Sequence, residues 1–240
     1  MRAGGRVTID DVVVGSNAQV ATTGSITGVR ADGSADIRHA VINLVSNTAT
    51  SITGVETVSA ATSTFQDLRI RIESGSPTSL TGIHVGSNGR FVDVTNSTIE
   101  IEPSNAPGAS ITGVIVSGGT HLQLTRSRIG LRHFGTPSTA SSARGVAFTF
   151  GSGELREVSV SYVGEQMGSR DGVVVSSVTA VGISHSDIAG WANAVLLSPP
   201  INSAVVTVTH SMLGGALTRV AGTFRCGHNV NPNGVDVVCP

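Results

Sequence analysis

The chain of 240 residues contains no lysine: its 15 basic residues are all arginines, set against 16 acidic ones for a formal net charge of −1. Charged residues make up only 13% of the sequence, and no arginine cluster forms the basic stripe that a phosphate backbone requires, so nucleic acid is not an expected partner. Aromatics are also scarce, eight in all, which disfavours a bulky helical core. No apolar run approaches the roughly 20 residues of a membrane span. The opening MRAGGRVTID has no apolar h-region, so no signal peptide is expected within it. Phosphate loops, Gly-x-Ser-x-Gly elbows, His-Glu-x-x-His helices and dinucleotide fingerprints are all missing, which removes the enzyme classes they mark. There are two cysteines, Cys226 and Cys239, too few and too far apart for a zinc knuckle. The preferred reading is a disulfide closing a C-terminal loop, with two free thiols as the alternative; a bridge points to an oxidising compartment.

What the chain does have is β-branched residues, glycine, serine and repetition. GSITGV (24–29), TSITGV (50–55), TSLTGI (78–83) and ASITGV (109–114) are nearly one hexapeptide written four times. Following its glycine gives Gly28, Gly54, Gly82, Gly113, Gly145 and Gly172, with Ala194 continuing the series, at a mean period near 28 residues. Each is followed by Val or Ile and, two residues later, by Ala31, Thr57, Val85, Val116, Phe148, Val175 or Leu197, an alternation that places both on one face of a strand. A second column shares apolar-x-apolar-x-x-Ser-x-apolar: VDVTNSTIEI (92–101), LQLTRSRIGL (122–131), VGISHSDIAG (181–190) and VTVTHSMLGG (206–215). Its serines are Ser97, Ser127, Ser186 and Ser211, with Ser161 expected between them. PSNAPGA (103–109) and FGTPSTASSA (134–143) read as loops inserted into single repeats.

A repeat of two or three short strands cannot bury its apolar face alone, but stacked copies make a continuous core. The expected fold is therefore an all-β, right-handed parallel β-helix of about seven to eight coils over residues 1–220, closed by a disulfide-bridged capping loop over 221–240. The repeated glycines are expected at coil corners needing φ > 0. The G-V-x-V and N-S-x-I strands resemble the right-handed β-helix proteins of the pectin-lyase-like superfamily, common among secreted bacterial and phage proteins. That resemblance concerns architecture and does not determine function.

Stacking makes spatial neighbours of residues one repeat apart, and four groups become candidates. His185 and His210 share a column just before Ser186 and Ser211, about 5 Å apart by strand spacing, with Asp187 beside them and Arg126 and Asn96 in earlier coils. Paired imidazoles next to a carboxylate can bind a metal or relay a proton, although two coils supply fewer ligands than a catalytic metal site needs. Asp67, Asp93, Glu73 and Glu100, with Arg71, form an acidic set. In the pectate-lyase branch of the family resembled, carboxylates hold calcium against a uronate and an arginine removes the proton, so those five are the catalytic candidates and Ca²⁺ the one cofactor under that reading. The N-T-D and G-H-G signatures of the polygalacturonase branch do not occur. Ser25/Thr27, Ser51/Thr53, Ser79/Thr81 and Ser110/Thr112 form a hydroxyl array that reads as a structural bend motif. Trp191, in a turn-like context after DIAG, is the candidate exposed platform for a sugar.

The leading expectation is a non-catalytic module of a secreted, surface or periplasmic protein, rigid and adhesive, whose partner is a surface polysaccharide or a neighbouring domain or protomer at an uncapped N-terminal end. The alternative is a polysaccharide lyase or glycoside hydrolase acting through an acidic groove; it requires Asp67, Asp93, Glu73 and Glu100 to converge with an arginine in reach.

Overall fold

A computed structural model describes residues 2–3, 7–15, 24–58, 62–75, 77–86, 91–104, 108–134, 138–165, 167–176, 178–198 and 204–240. Parts of the two predicted inserts, 105–107 and 135–137, lie outside these residues.

One coil shows how the chain is laid down. Ser79–Val85 forms a strand, the chain bends, Phe91–Thr95 and Thr98–Pro103 form two more, and the next coil repeats the order. Corresponding strands stack into three parallel sheets of nine, nine and eight strands among the described residues. No helix occurs among these residues. The fold is a parallel β-solenoid of about six full coils, fewer than the seven to eight expected, because strands as short as Arg2–Ala3, Val13–Val14 and Met212–Leu213 leave the outermost coils partial.

Each sheet contributes an inward apolar ladder, the physical reason the sequence repeats. In the first sheet Val29, Val55, Ile83, Val114, Val146, Val173 and Val195 lie in register, all buried. The second sheet stacks Ile37, Phe65, Val94, Leu124, Leu155, Ile183 and Val208, ending on Cys226. The third stacks Ile42, Ile70, Ile99, Ile129, Val160, Ile188 and Leu213. Each such side chain contributes roughly 1.5–3 kcal/mol on leaving water, and similar shapes one rung apart suit a close-packed interior.

The glycine column has a different cause from the one expected. None of Gly28, Gly54, Gly82, Gly113, Gly145 and Gly172 has a positive φ. They sit mid-strand, where the in–out alternation resets and glycine and the following residue both turn inward. A Cβ on Gly54 would come within 2.6 Å of both the Gly82 carbonyl oxygen and Ile70 Cγ2. Glycine lets the first sheet approach the third; it does not form the corner.

The corner between the second and third sheets is made by other residues. Asp11, His39, Asp67, Asn96, Arg126, Glu157, His185, His210 and His228 all have φ between 47° and 56°, one per coil. The backbone turns there in the left-handed region, which Asn, Asp and His tolerate better than most residues. The next residue points inward, and where it is Ser97, Ser127, Ser186 or Ser211 it is buried. Ser161 is not in this column: it faces outward in the third sheet, opposite Gly130 and Ala189, and Val158 takes the serine's place in that coil.

At the C-terminal end Thr223–Gly227 extends the second sheet, and Val230 bridges to Met212 and Asp236. Asn229 caps the serine column, its Oδ1 accepting the Ser211 amide at 3.0 Å and its Nδ2 donating to the Val208 carbonyl at 2.8 Å. The Cys226–Cys239 disulfide ties the final residues to this end coil, and both cysteines pack against the core.

Candidate functional site

The left-handed corner forces its side chains outward, so the column is a ridge running the length of the solenoid. Its last three members are imidazoles. The His185 and His210 rings stack at 5.1 Å, tilted by 5°, and His210 and His228 at 5.2 Å, tilted by 26°. The spacing of the first pair matches its sequence-based expectation. His228 was missed because it follows no VTVTHS-like strand; only its backbone conformation places it in the column. All three are exposed, and among the described residues none makes a hydrogen bond or ion pair through its ring.

A groove lies on each side of this ridge. Towards the third sheet, His185, Asp187, His210, Met212, His228 and Val230 line a shallow one of about 510 Å³. Asp187 Oδ1 is buried without a partner, and loss of hydration pushes this carboxyl above the ordinary aspartate range. Towards the second sheet, Glu154, Arg156, Gly182, Ser184, His185, Thr207 and Thr209 surround about 410 Å³. Gly182 forms the floor, between Glu154 and Thr207 in its column. A Cβ there would meet nothing closer than Glu154 Cγ at 3.7 Å, and its φ is not positive, so neither packing nor backbone requires glycine.

The other predicted residues are spread over the surface. Asp67 is at the corner, Asp93 on the outer face of the second sheet, and Glu73 and Glu100 on the outer face of the third. The four do not converge. Arg71 pairs with Glu73 at 2.5 Å and is level with Glu100 on the next coil. Glu73 and Glu102 are column neighbours and, with Asn47 and the exposed Phe134, line a groove of about 260 Å³. Asp93 Oδ1 is buried and unpartnered, and burial raises its pKa. Arg126 is an exposed corner residue two coils before His185 in the same ridge. The S-x-T array is in register as expected, and its serine rank continues through Ser142 and Ser169.

Trp191 is not an exposed platform. Its side chain is buried, its Nε1–H donates to the Val160 carbonyl at 3.0 Å, and its ring packs 5.4 Å from Tyr162. The space it fills is left by Gly145 and Gly172, so a turn-like sequence context hid a core residue.

Two polar groups were not foreseen. At the N-terminal end of the ridge the His39 Nδ1 lies 2.9 Å from Asp10 and its Nε2 lies 3.4 Å from Asp67, with Asp11 at 3.8 Å. These carboxylates hold the imidazole in its charged form to higher pH, chiefly through the Asp10 hydrogen bond. On the first sheet, Ser117 Oγ, His84 and Glu56 come from successive coils at 3.4 and 3.7 Å. Ser117 donates to the Val85 carbonyl at 3.0 Å and Glu56 is engaged by Arg30 at 3.2 Å, so the set is a ladder of surface contacts and not a primed nucleophile.

Among the described residues no helix is long and apolar enough to cross a membrane. Compared with family models, curated proteins and solved structures, the chain matches none.

Proposed function

We propose that the chain is a non-catalytic, extracellular or periplasmic β-solenoid module of the pectin-lyase-like kind that binds carbohydrate along its outer face. The observation that carries this reading is the gap at Gly182. The fold does not require it, it opens about 410 Å³ beside the ridge, and it is rimmed by Glu154, Arg156, Ser184, Thr207 and Thr209. Fixed hydroxyl, carboxylate and guanidinium groups on a rigid sheet suit sugar hydroxyls, and a preformed surface loses little entropy on binding. The disulfide at the C-terminal end is compatible with an oxidising compartment. Screening against neutral and acidic polysaccharides, followed by calorimetry, tests the reading with Gly182→Gln as the groove-filling variant. Binding by the parent and its loss in a variant of unchanged melting temperature support the site. Equal binding by both removes it.

A second reading, polysaccharide cleavage, is favoured by one observation: Glu73 and Glu102 sit one rung apart over a groove that also holds Phe134, with Arg71 bonded to Glu73. Carboxyl groups about 5 Å apart suit a retaining glycosidase, and calcium between them would suit a lyase. Incubation with polyuronates, with and without Ca²⁺, should then give shortened or unsaturated products that Glu102→Gln no longer forms. No product from the parent chain ends this reading.

A further inference from the structure

The described residues contain one ready-made group of three potential metal ligands, Asp10, Asp11 and His39, whose donor atoms lie within 4.8 Å of one another. It makes a poor cation site. Both ring nitrogens of His39 already face carboxylates, which favours the protonated imidazolium, and a protonated ring has no lone pair to give.

The other end of the ridge has the reverse character. His185, His210 and His228 are exposed, their ring nitrogens have no protein partner among the described residues, and no arginine lines the groove that all three share, Arg156 lying in the one on the other side of His185. The Asp187 carboxyl flanks them and adds negative potential once ionised. The corner's backbone alone does not call for three consecutive histidines, since Asn96, Arg126 and Glu157 hold the same conformation in earlier coils.

From this geometry we infer that the histidine ridge is a binding site for one borderline divalent cation of the Zn²⁺, Cu²⁺ or Ni²⁺ class, held by two neighbouring imidazoles with His210 always one of them. Metal–nitrogen bonds of about 2.0–2.1 Å allow two nitrogens on one ion to be at most about 4 Å apart. Rings stacked at 5.1 and 5.2 Å reach that by tilting towards each other, a motion open to exposed side chains. His185 and His228 lie two rungs apart, roughly 10 Å by strand spacing, and cannot share an ion directly. Two sites are therefore possible, His185–His210 and His210–His228. They compete for the middle ring, so the chain takes one ion. Imidazole selects these metals over Ca²⁺ and Mg²⁺, which prefer oxygen, and water completes the shell.

The test uses the full, untagged chain with its disulfide intact, titrated with Zn²⁺ by calorimetry at pH 7.5 and examined by electron paramagnetic resonance with Cu²⁺. One ion per chain and hyperfine structure from two imidazole nitrogens are expected. His210→Asn, which keeps a residue suited to the left-handed corner, should lose the ion. His185→Asn and His228→Asn should each keep one ion per chain, because each leaves one neighbouring pair. Circular dichroism and an unchanged melting temperature confirm that each variant is folded. Absence of binding by the parent, full binding by His210→Asn, or loss of binding in both outer variants would each overturn the inference.

Discussion

Ser127 accepts the backbone N–H of Ser97 on its Oγ at 3.1 Å while its own hydroxyl donates to the Thr125 carbonyl at 2.8 Å. Ser97 does the same one coil earlier, accepting from Leu68 and donating to Thr95, and Ser186 and Ser211 repeat the arrangement further on. The corner amides of Leu68, Ser97, Val158 and Ser186 are thus satisfied by the next coil's hydroxyl, and that of Ser211 by Asn229. Ser127→Ala should cost about 1–3 kcal/mol, the penalty for an orphaned buried donor, measured by urea denaturation. Ser161→Ala, outside the column, should stay within about 0.5 kcal/mol. Equal losses would mean that the corner hydroxyl has no special role.

The glycines divide by cause, and alanine substitution should separate them. Gly54→Ala forces a methyl against the Gly82 carbonyl and Ile70 and should destabilise by about 1–3 kcal/mol or more, since backbone cannot yield without disturbing the rung. Gly130→Ala meets only Ser161 Oγ at 3.9 Å and should be neutral or gain up to about 1 kcal/mol through a less flexible unfolded chain. Thermal melts of the two variants side by side give the comparison.

The core ladders were legible in the sequence because burial selects a narrow set of side chains, and Val55, Ile83 and Val114 announce themselves by likeness. The ridge was only half legible. Its members share a backbone conformation and not a chemistry, so His185 and His210 were found inside matching strands while Asp11, His39, Glu157 and His228 were not. Ser161 was assigned to the corner column because Val158 breaks the serine series there. Trp191 was misread for a three-dimensional reason: the vacancy that buries it is made by glycines one and two coils earlier.

The Cys226–Cys239 bridge spans 13 residues of sequence at the end of the stack, where Cys226 prolongs the inward column of the second sheet. Closing a loop of about that length is worth roughly 3 kcal/mol in the chain-entropy account. Reduction should therefore lower the melting temperature and first expose amides of the end coil. Hydrogen exchange should speed up at Val230 and Val237, whose amides bond to Ser211 and Asn229, before it does at Val114. Uniform exchange after reduction would show that the bridge does not act locally.

Two histidines should give stability opposite dependences on pH. Asp10, Asp11 and Asp67 raise the His39 pKa in the folded state, so its contribution is fully present below about 6.5, the unfolded value, and is lost as pH rises through the higher folded value. His133 is fully buried with both ring nitrogens unpartnered, and desolvation lowers its pKa, partly countered by Glu165. Folding is then opposed by protonation of the unfolded ring, and stability falls as pH drops below about 6.5. Denaturation midpoints followed from pH 5 to 8 should lose their acid-side decline in His133→Leu, which should also be more stable than the parent because an unsatisfied buried group is gone. In His39→Gln the decline on the alkaline side should disappear instead. An NMR titration placing His39 below His133 would reverse both assignments.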